Sequence, residues 1–260
     1  MHFHFDYSAR QVLFTLTFAA QLVLLVVLMG RDRARRYPWF TAGIALYALQ
    51  LMAEVLLSGR MAIIPLQETL LTLDDLGVVA GLLVLVEVAR RAFAGVPRSL
   101  WVANTVGLLA VAAGVLATWG PWPVWKDLPL DQLLGKLKLM QLAAQKGNTL
   151  VSLLTVGLGL LVVLFGRHFL AGWRSHTQKI VIGLMAAAIA QLALQGTLQH
   201  IIKTAHPTSR AEYDQIMRFL TNLVNVNSGV YLAALLWWIA WLWRDEPGAV
   251  ETPVAETAAQ

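Results

Sequence analysis

Seven runs of apolar residues follow one another along this chain, at 9–30, 38–58, 67–89, 99–119, 147–166, 179–201 and 219–243. Each is about 20 residues long, the length at which a helix crosses about 30 Å of hydrocarbon. Charge, Gly or Pro bounds every run, and Pro38 opens the second, where its missing N–H costs nothing. Barrel strands would alternate apolar and polar positions, and these runs do not. The pattern predicts an all-α membrane protein, with seven transmembrane helices in a single domain over 1–244. The tail, 245–260, is polar and without period, and reads as disordered.

One stretch between the runs is itself patterned. After the turn-rich aromatic patch GPWPVW, Leu130, Leu133, Leu134, Leu137, Met140 and Ala144 recur at helical spacing. Two readings stay open for it: an amphipathic helix lying on the membrane surface, or an early start to the fifth span.

The runs also resemble each other. Leu24 to Arg31 reads LLVVLMGR and Leu160 to Arg167 reads LLVVLFGR, an offset of 136. Gln50, Leu51 and Glu54 meet Gln191, Leu192 and Gln195 at an offset of 141. Thr69, Leu71, Asp75, Gly77 and Val78 meet Thr221, Leu223, Asn227, Gly229 and Val230 at 152. The offsets grow in order, as loop insertions require. A rival match sets Arg91, Phe93, Arg98 and Ser99 against Arg167, Phe169, Arg174 and Ser175, but it lies in two loops where basic residues are expected anyway. The three-helix repeat is preferred. It gives a 3+1+3 plan with the fourth helix as linker, both halves sharing one orientation.

Charge sets the orientation. Arg31, Arg33, Arg35, Arg36, Arg90, Arg91, Arg98, Arg167, Arg174, Lys179 and Arg244 fall on one side in compact loops. On the other side the basic residues concentrate in the long loop 120–146. Short basic loops near the first helix weigh most, so the N-terminus is expected outside and the C-terminus in the cytoplasm. The N-terminus lacks the basic stretch of a signal peptide, which makes the first run an expected uncleaved anchor.

Composition agrees. The chain is 58% hydrophobic and 13% charged, against about 25% charged in soluble domains. The net charge of +5 sits in loops, where it meets lipid headgroups rather than nucleic acid. With no cysteine, disulfides, thiolate catalysis and Cys-based metal sites are excluded.

Polar side chains inside spans are costly and usually face the bundle interior or water. Here they gather in the outer half: Glu54, Asp74, Asp75, Gln191, Gln195, Gln199, His200, Asn222, Asn225 and Asn227, with hydroxyls from Thr149 and Ser152. The inner halves, GVVAGLLVLV, IVIGLMAAAIA and YLAALLWWIAWLW, are apolar. A polar cluster above an apolar floor reads as an outward pocket, with Glu54, Asp74, Asp75, Gln191, Gln195, His200, Asn225 and Asn227 as ligand-binding candidates. Three acids gathered in low dielectric call for a proton or a cation, and His200 is the candidate partner. The competing reading is that these groups only join helices, at about 0.6 kcal/mol per hydrogen bond.

Other chemistry is thin. A metal site would draw on Glu54, Asp74, Asp75 and His200, but no HxxxH or ExxH spacing occurs, and Asp74 and Asp75 point about 100° apart on a helix. No metal and no cofactor is expected. The HxH of His2 and His4 reads as a solvated end. Glu87 precedes Arg90 and Arg91 at i+3 and i+4, the spacing of a helix-end ion pair. It is also a candidate to reach Arg174 and lock two cytoplasmic ends together. Trp243 and Trp241 fit an interfacial belt, while Trp237 and Trp238 lie deeper and suit packing or lipid contact. No GxSxG, Walker loop or HExxH occurs, so no enzyme is expected.

The plan resembles microbial rhodopsins and the sugar transporters with MtN3 repeats, without their markers: 219–243 holds no lysine for a retinal Schiff base, and no span has an interior proline. Over nearly its whole length the chain is more similar to an uncharacterised family of bacterial seven-helix membrane proteins. That likeness rests on RDRARRYPWF, on Glu87 and on GRHFLAGWRSH. It implies a fold and the bacterial inner membrane, and no activity. The expected function is non-enzymatic ligand binding or sensing, signalling through a protein partner at the basic loops. Transport of a small solute or protons, or a structural role in a membrane complex, are the alternatives.

Overall fold

A computed structural model describes residues 9–94, 98–118, 122, 133–165, 175–205 and 209–245. All the regular structure among them is helical: α1 (Ala9–Gly30), α2 (Arg33–Arg36), α3 (Pro38–Leu57), α4 (Ile63–Ala92), α5 (Arg98–Thr118), α6 (Leu133–Phe165), α7 (His176–Thr204) and α8 (Arg210–Leu242). Six of these, α1, α3, α4, α6, α7 and α8, are long and apolar enough to cross a membrane; α5 contributes a shorter apolar helix, Val102–Thr118. The chain therefore reads as a multi-pass membrane protein.

Local chemistry sets the helix ends. Asp32 takes the left-handed conformation (φ 53°) that turns the chain from α1 into α2, and Gly59 (φ 83°) does the same after α3. Pro38 is the first residue of α3. Ser209 accepts the N–H of Glu212 at 3.2 Å and caps α8, and Ser175 accepts the N–H of Gln178 at 3.4 Å at the start of α7. The two readings of the 130–144 segment are decided for 133–144, which forms one helix with the fifth apolar run. In α6, Leu137 and Ala144 are buried while Leu133 and Leu134 are exposed. The long loop before it, the chain end beyond Asp245, His2 and His4, and Arg174 lie outside the described residues.

The six long helices close into a ring in the order α1–α3–α4–α6–α7–α8 and back to α1, with α5 set outside against α6. Small residues allow close approach, as in other membrane bundles. A β-carbon at Gly81 of α4 would meet Val151 of α6 at 3.0 Å, and one at Gly43 of α3 would meet Val84 of α4 at 3.4 Å.

The core is not spread evenly along the ring. Leu24, Val27 and Leu28, Phe40 and Ile44, Val84, Leu85 and Val88, Leu158 and Val162, Ile180 and Val181, and Leu235, Trp238 and Leu242 form one buried cluster. These positions lie toward the end that carries Arg31, Arg33, Arg35, Arg36, Arg90, Arg91 and Arg244, the arginine-rich end. Trp238 is its centrepiece: 1% exposed, edge-on to Phe40 with ring centroids 5.1 Å apart, and donating its indole N–H to the Ile180 carbonyl at 3.3 Å. Toward the far end the interior is more open and carries the half-buried polar side chains.

Candidate functional site

Each joint of the helix ring carries a polar contact. Gln21 of α1 donates its amide to the Tyr231 hydroxyl of α8 at 3.2 Å. Asn227 of α8 donates to the Gln191 carbonyl of α7 at 3.0 Å. The Thr149 hydroxyl of α6 lies 2.8 Å from the Gln195 carbonyl oxygen of α7 and 2.8 Å from the Gln145 carbonyl of its own helix, and its one proton is shared between the two acceptors. Asn148 of α6 donates to an Asp74 oxygen of α4 at 3.2 Å. At the α1–α3 joint the Arg10 guanidinium stands 3.9 Å from Glu54, both side chains well exposed. The α3–α4 joint is tied at the other end, through Glu87.

The structure therefore distributes the eight ligand-binding candidates rather than gathering them. Gln191, Gln195, Asn227 and Asp74 are engaged between helices, and Glu54 faces Arg10. Asp75 is half-buried and makes no hydrogen bond or ion pair among the described residues. Asn225 is half-buried. His200 is exposed and meets no carboxylate among the described residues, so the acids' cation at this end is Arg10, on Glu54. A shallow hollow of about 440 Å³, open to the surroundings, lies between α3 and α4, lined by Gln50, Ile63, Leu66, Gln67, Leu70, Leu71 and Asp74. Of the eight candidates it takes in Asp74 alone. Among the described residues, no group of three His, Asp or Glu is close enough to hold a metal ion.

Several joint residues, Tyr231 and Arg10 among them, were not sequence candidates, and Gln21 and Asn148 show why. Gln21 is a lone amide in the middle of an apolar run and is 1% exposed; that isolation is itself the signal, because a mid-membrane amide needs a partner. Asn148 directly precedes Thr149, and its direction could not be read without knowing where α4 lies.

The arginine-rich end is tied by buried polar groups. Glu87 is 8% exposed. One of its oxygens accepts the backbone N–H of Phe40 at 3.0 Å, in the first turn of α3. Its other oxygen lies 3.8 Å from the Arg91 guanidinium. Arg91 in turn stacks on the ring of Tyr37 at 4.9 Å, and the Tyr37 hydroxyl is 2.9 Å from that of Thr177 at the start of α7. Arg33 donates to the Arg244 carbonyl at 2.9 Å, joining α2 to the end of α8. The expected helix-end pair with Arg91 is present; Arg174, the other expected partner of Glu87, is outside the described residues. The N-capping of α3 was not foreseen.

Comparison with protein-family models, with curated proteins and with solved structures found no match to this chain.

Proposed function

We propose that this is a non-enzymatic, ligand-binding or sensory protein of the bacterial inner membrane, open to the outside at its far end and closed to the cytoplasm at its arginine-rich end. The observation that carries the reading is the asymmetry along the ring. Phe40, Val88, Ile180, Leu235 and Trp238 fill one end, while the other holds a hollow of about 440 Å³ edged by Gln50, Gln67 and Asp74. That volume lies within the range of small-ligand pockets, about 300 to 1,000 Å³, and its wall is apolar with a few polar groups, although it stands open rather than enclosed. A filled floor suits recognition better than passage. Signalling then requires a protein partner on the basic cytoplasmic end.

The seven-span count and the 3+1+3 repeat belong to this proposal. In that plan α1 corresponds to α6, α3 to α7 and α4 to α8, and the order of helices around the ring is compatible with the correspondence. In this plan α5, which packs against α6, is the linker. Arginines at the ends of α1, α4 and α8 support a cytoplasmic position for that end.

A second reading has its own support. The hydrogen bonds between ring helices suit a protein whose polar groups only hold it together, as in an assembly subunit. The experiment that separates them is thermal unfolding of the purified protein against a panel of amino acids, sugars and small ions. The sensory reading expects a stabilising compound whose effect is lost in Gln50→Leu and Gln67→Leu, two residues that edge the hollow, without loss of fold. Uptake of that compound into liposomes would favour transport instead, and stability gained only with a co-purifying protein would favour assembly.

A further inference from the structure

Where α7 begins and α8 ends, two cations converge on one indole. The Lys179 ammonium lies 4.2 Å from the ring centroid of Trp241 and 5.6 Å from that of Trp237. The Arg244 guanidinium lies 5.2 Å from the same Trp241 ring. The cradle is fixed: the Trp237 indole N–H donates to the Lys179 carbonyl at 3.1 Å, and the two indoles stand 5.4 Å apart. An indole face attracts each cation separately but leaves their mutual repulsion in place. Neither Lys179 nor Arg244 pairs with a carboxylate among the described residues. Among the described residues the acids at this end are used elsewhere: Asp245 on Arg31 at 3.3 Å, Glu87 on Arg91, and Asp32 on Arg35 at 3.5 Å.

We propose that this cradle binds the phosphate of an anionic phospholipid. Its depth is that of a headgroup, since Lys179 is in the first turn of α7 and Trp241 in the last turn of α8, where tryptophans of membrane helices meet the interface. Its charge is that of an anion's complement. Its surroundings select a lipid over free phosphate: Trp237 and Leu236 next to it on α8 are exposed apolar side chains, which suit an acyl chain and offer nothing to an inorganic ion. The site lies on the outer wall of the ring and is independent of the polar hollow at the far end.

The test is native mass spectrometry of the full chain released from detergent, titrated with phosphatidylglycerol, phosphatidylcholine or sodium phosphate. The wild type should retain phosphatidylglycerol in preference to phosphatidylcholine. Each cation near an anionic headgroup contributes a factor of about five, so Lys179→Gln with Arg244→Gln should bind phosphatidylglycerol about 30-fold more weakly. Phosphatidylcholine should be unaffected. Lys179→Arg should keep the preference and Lys203→Gln, at the far end, should not alter it. If the double variant does not fold, each single variant should lose about fivefold. Equal retention of phosphatidylglycerol by wild type and variants would overturn the proposal. So would equal retention of the two lipids by the wild type, or displacement of phosphatidylglycerol by millimolar phosphate, which would mark a free-anion site.

Discussion

The carboxylate of Glu87, near the end of α4, accepts the backbone N–H of Phe40, in the first turn of α3, at 3.0 Å. The first N–H groups of any helix have no partner within it, and here the helix opens with Pro38, so no Ser, Thr or Asp side chain stands at the cap. A carboxylate from a neighbouring helix does that work instead. It satisfies a buried donor, places negative charge at the positive end of α3, and fixes α3 to α4 at the level of the core.

Removing that carboxylate should destabilise the fold. Glu87→Ala leaves the Phe40 N–H buried without an acceptor, a loss of about 2 kcal/mol. Glu87→Gln keeps one carbonyl oxygen in place and should lose less. Reversible unfolding in mixed micelles measures both; equal stability of Glu87→Ala and wild type would show that the cap is not what holds α3.

The floor of the ring should be intolerant of one added methyl. A β-carbon at Gly183 would clash with the indole of Trp238, meeting its Cε2 at 2.6 Å, and Trp238 is 1% exposed and held between Phe40 and Ile180. Gly183→Ala is expected to destabilise by about 1–3 kcal/mol, the usual cost of overpacking. At Gly77 the same methyl meets nothing within 4 Å, so Gly77→Ala should leave the unfolding midpoint unchanged or raise it.

How much of this was legible in the sequence depends on what each residue needed to know. The apolar runs need only their own length, and six of them became helices long enough to cross a membrane. That polar residues stand in the outer halves of the spans was legible too, because a Gln or Asp in a span is visible without any neighbour, but the single cluster expected of them is replaced by separate contacts between helices. The partner of each group was not. Asn148 and Asp74 are 74 residues apart, and their bond depends on α6 packing beside α4, which no local pattern encodes. The same limit hid the role of Glu87: its spacing to Arg91 is local and could be read, while its bond to Phe40 crosses two helices and could not.

The joint between α6 and α7 offers a direct measure of helix stitching. Thr149 is 1% exposed, and its one hydroxyl proton is contested by Gln195 and by the Gln145 carbonyl of its own helix, each 2.8 Å away. A double-mutant cycle with Thr149→Val and Gln195→Leu should therefore give a coupling of roughly 0.6 kcal/mol, the average for such bonds in membranes. A coupling near zero would mean that the intrahelical bond already satisfies Thr149 and that this contact does not hold α6 to α7.

The adjacent carboxylates Asp74 and Asp75 separate the two readings of the polar layer, because only one of them is engaged. Asp74 accepts from Asn148 across the α4–α6 joint; Asp75, one residue on and turned about 100° away, makes no hydrogen bond or ion pair among the described residues. If the layer only joins helices, Asp74→Ala should lower stability by roughly 0.6 kcal/mol. Asp75→Asn should then do nothing, because a carboxylate that joins nothing has no joint to break. If the layer recognises a ligand, a carboxylate without a protein partner is the group available to it. Asp75→Asn should then keep the fold and its unfolding midpoint while losing the stabilisation that a compound from the panel confers on the wild type. A compound that stabilises Asp75→Asn as fully as the wild type would remove Asp75 from the site. A panel with no effect on the wild type would leave the interhelical bonds as the layer's whole role.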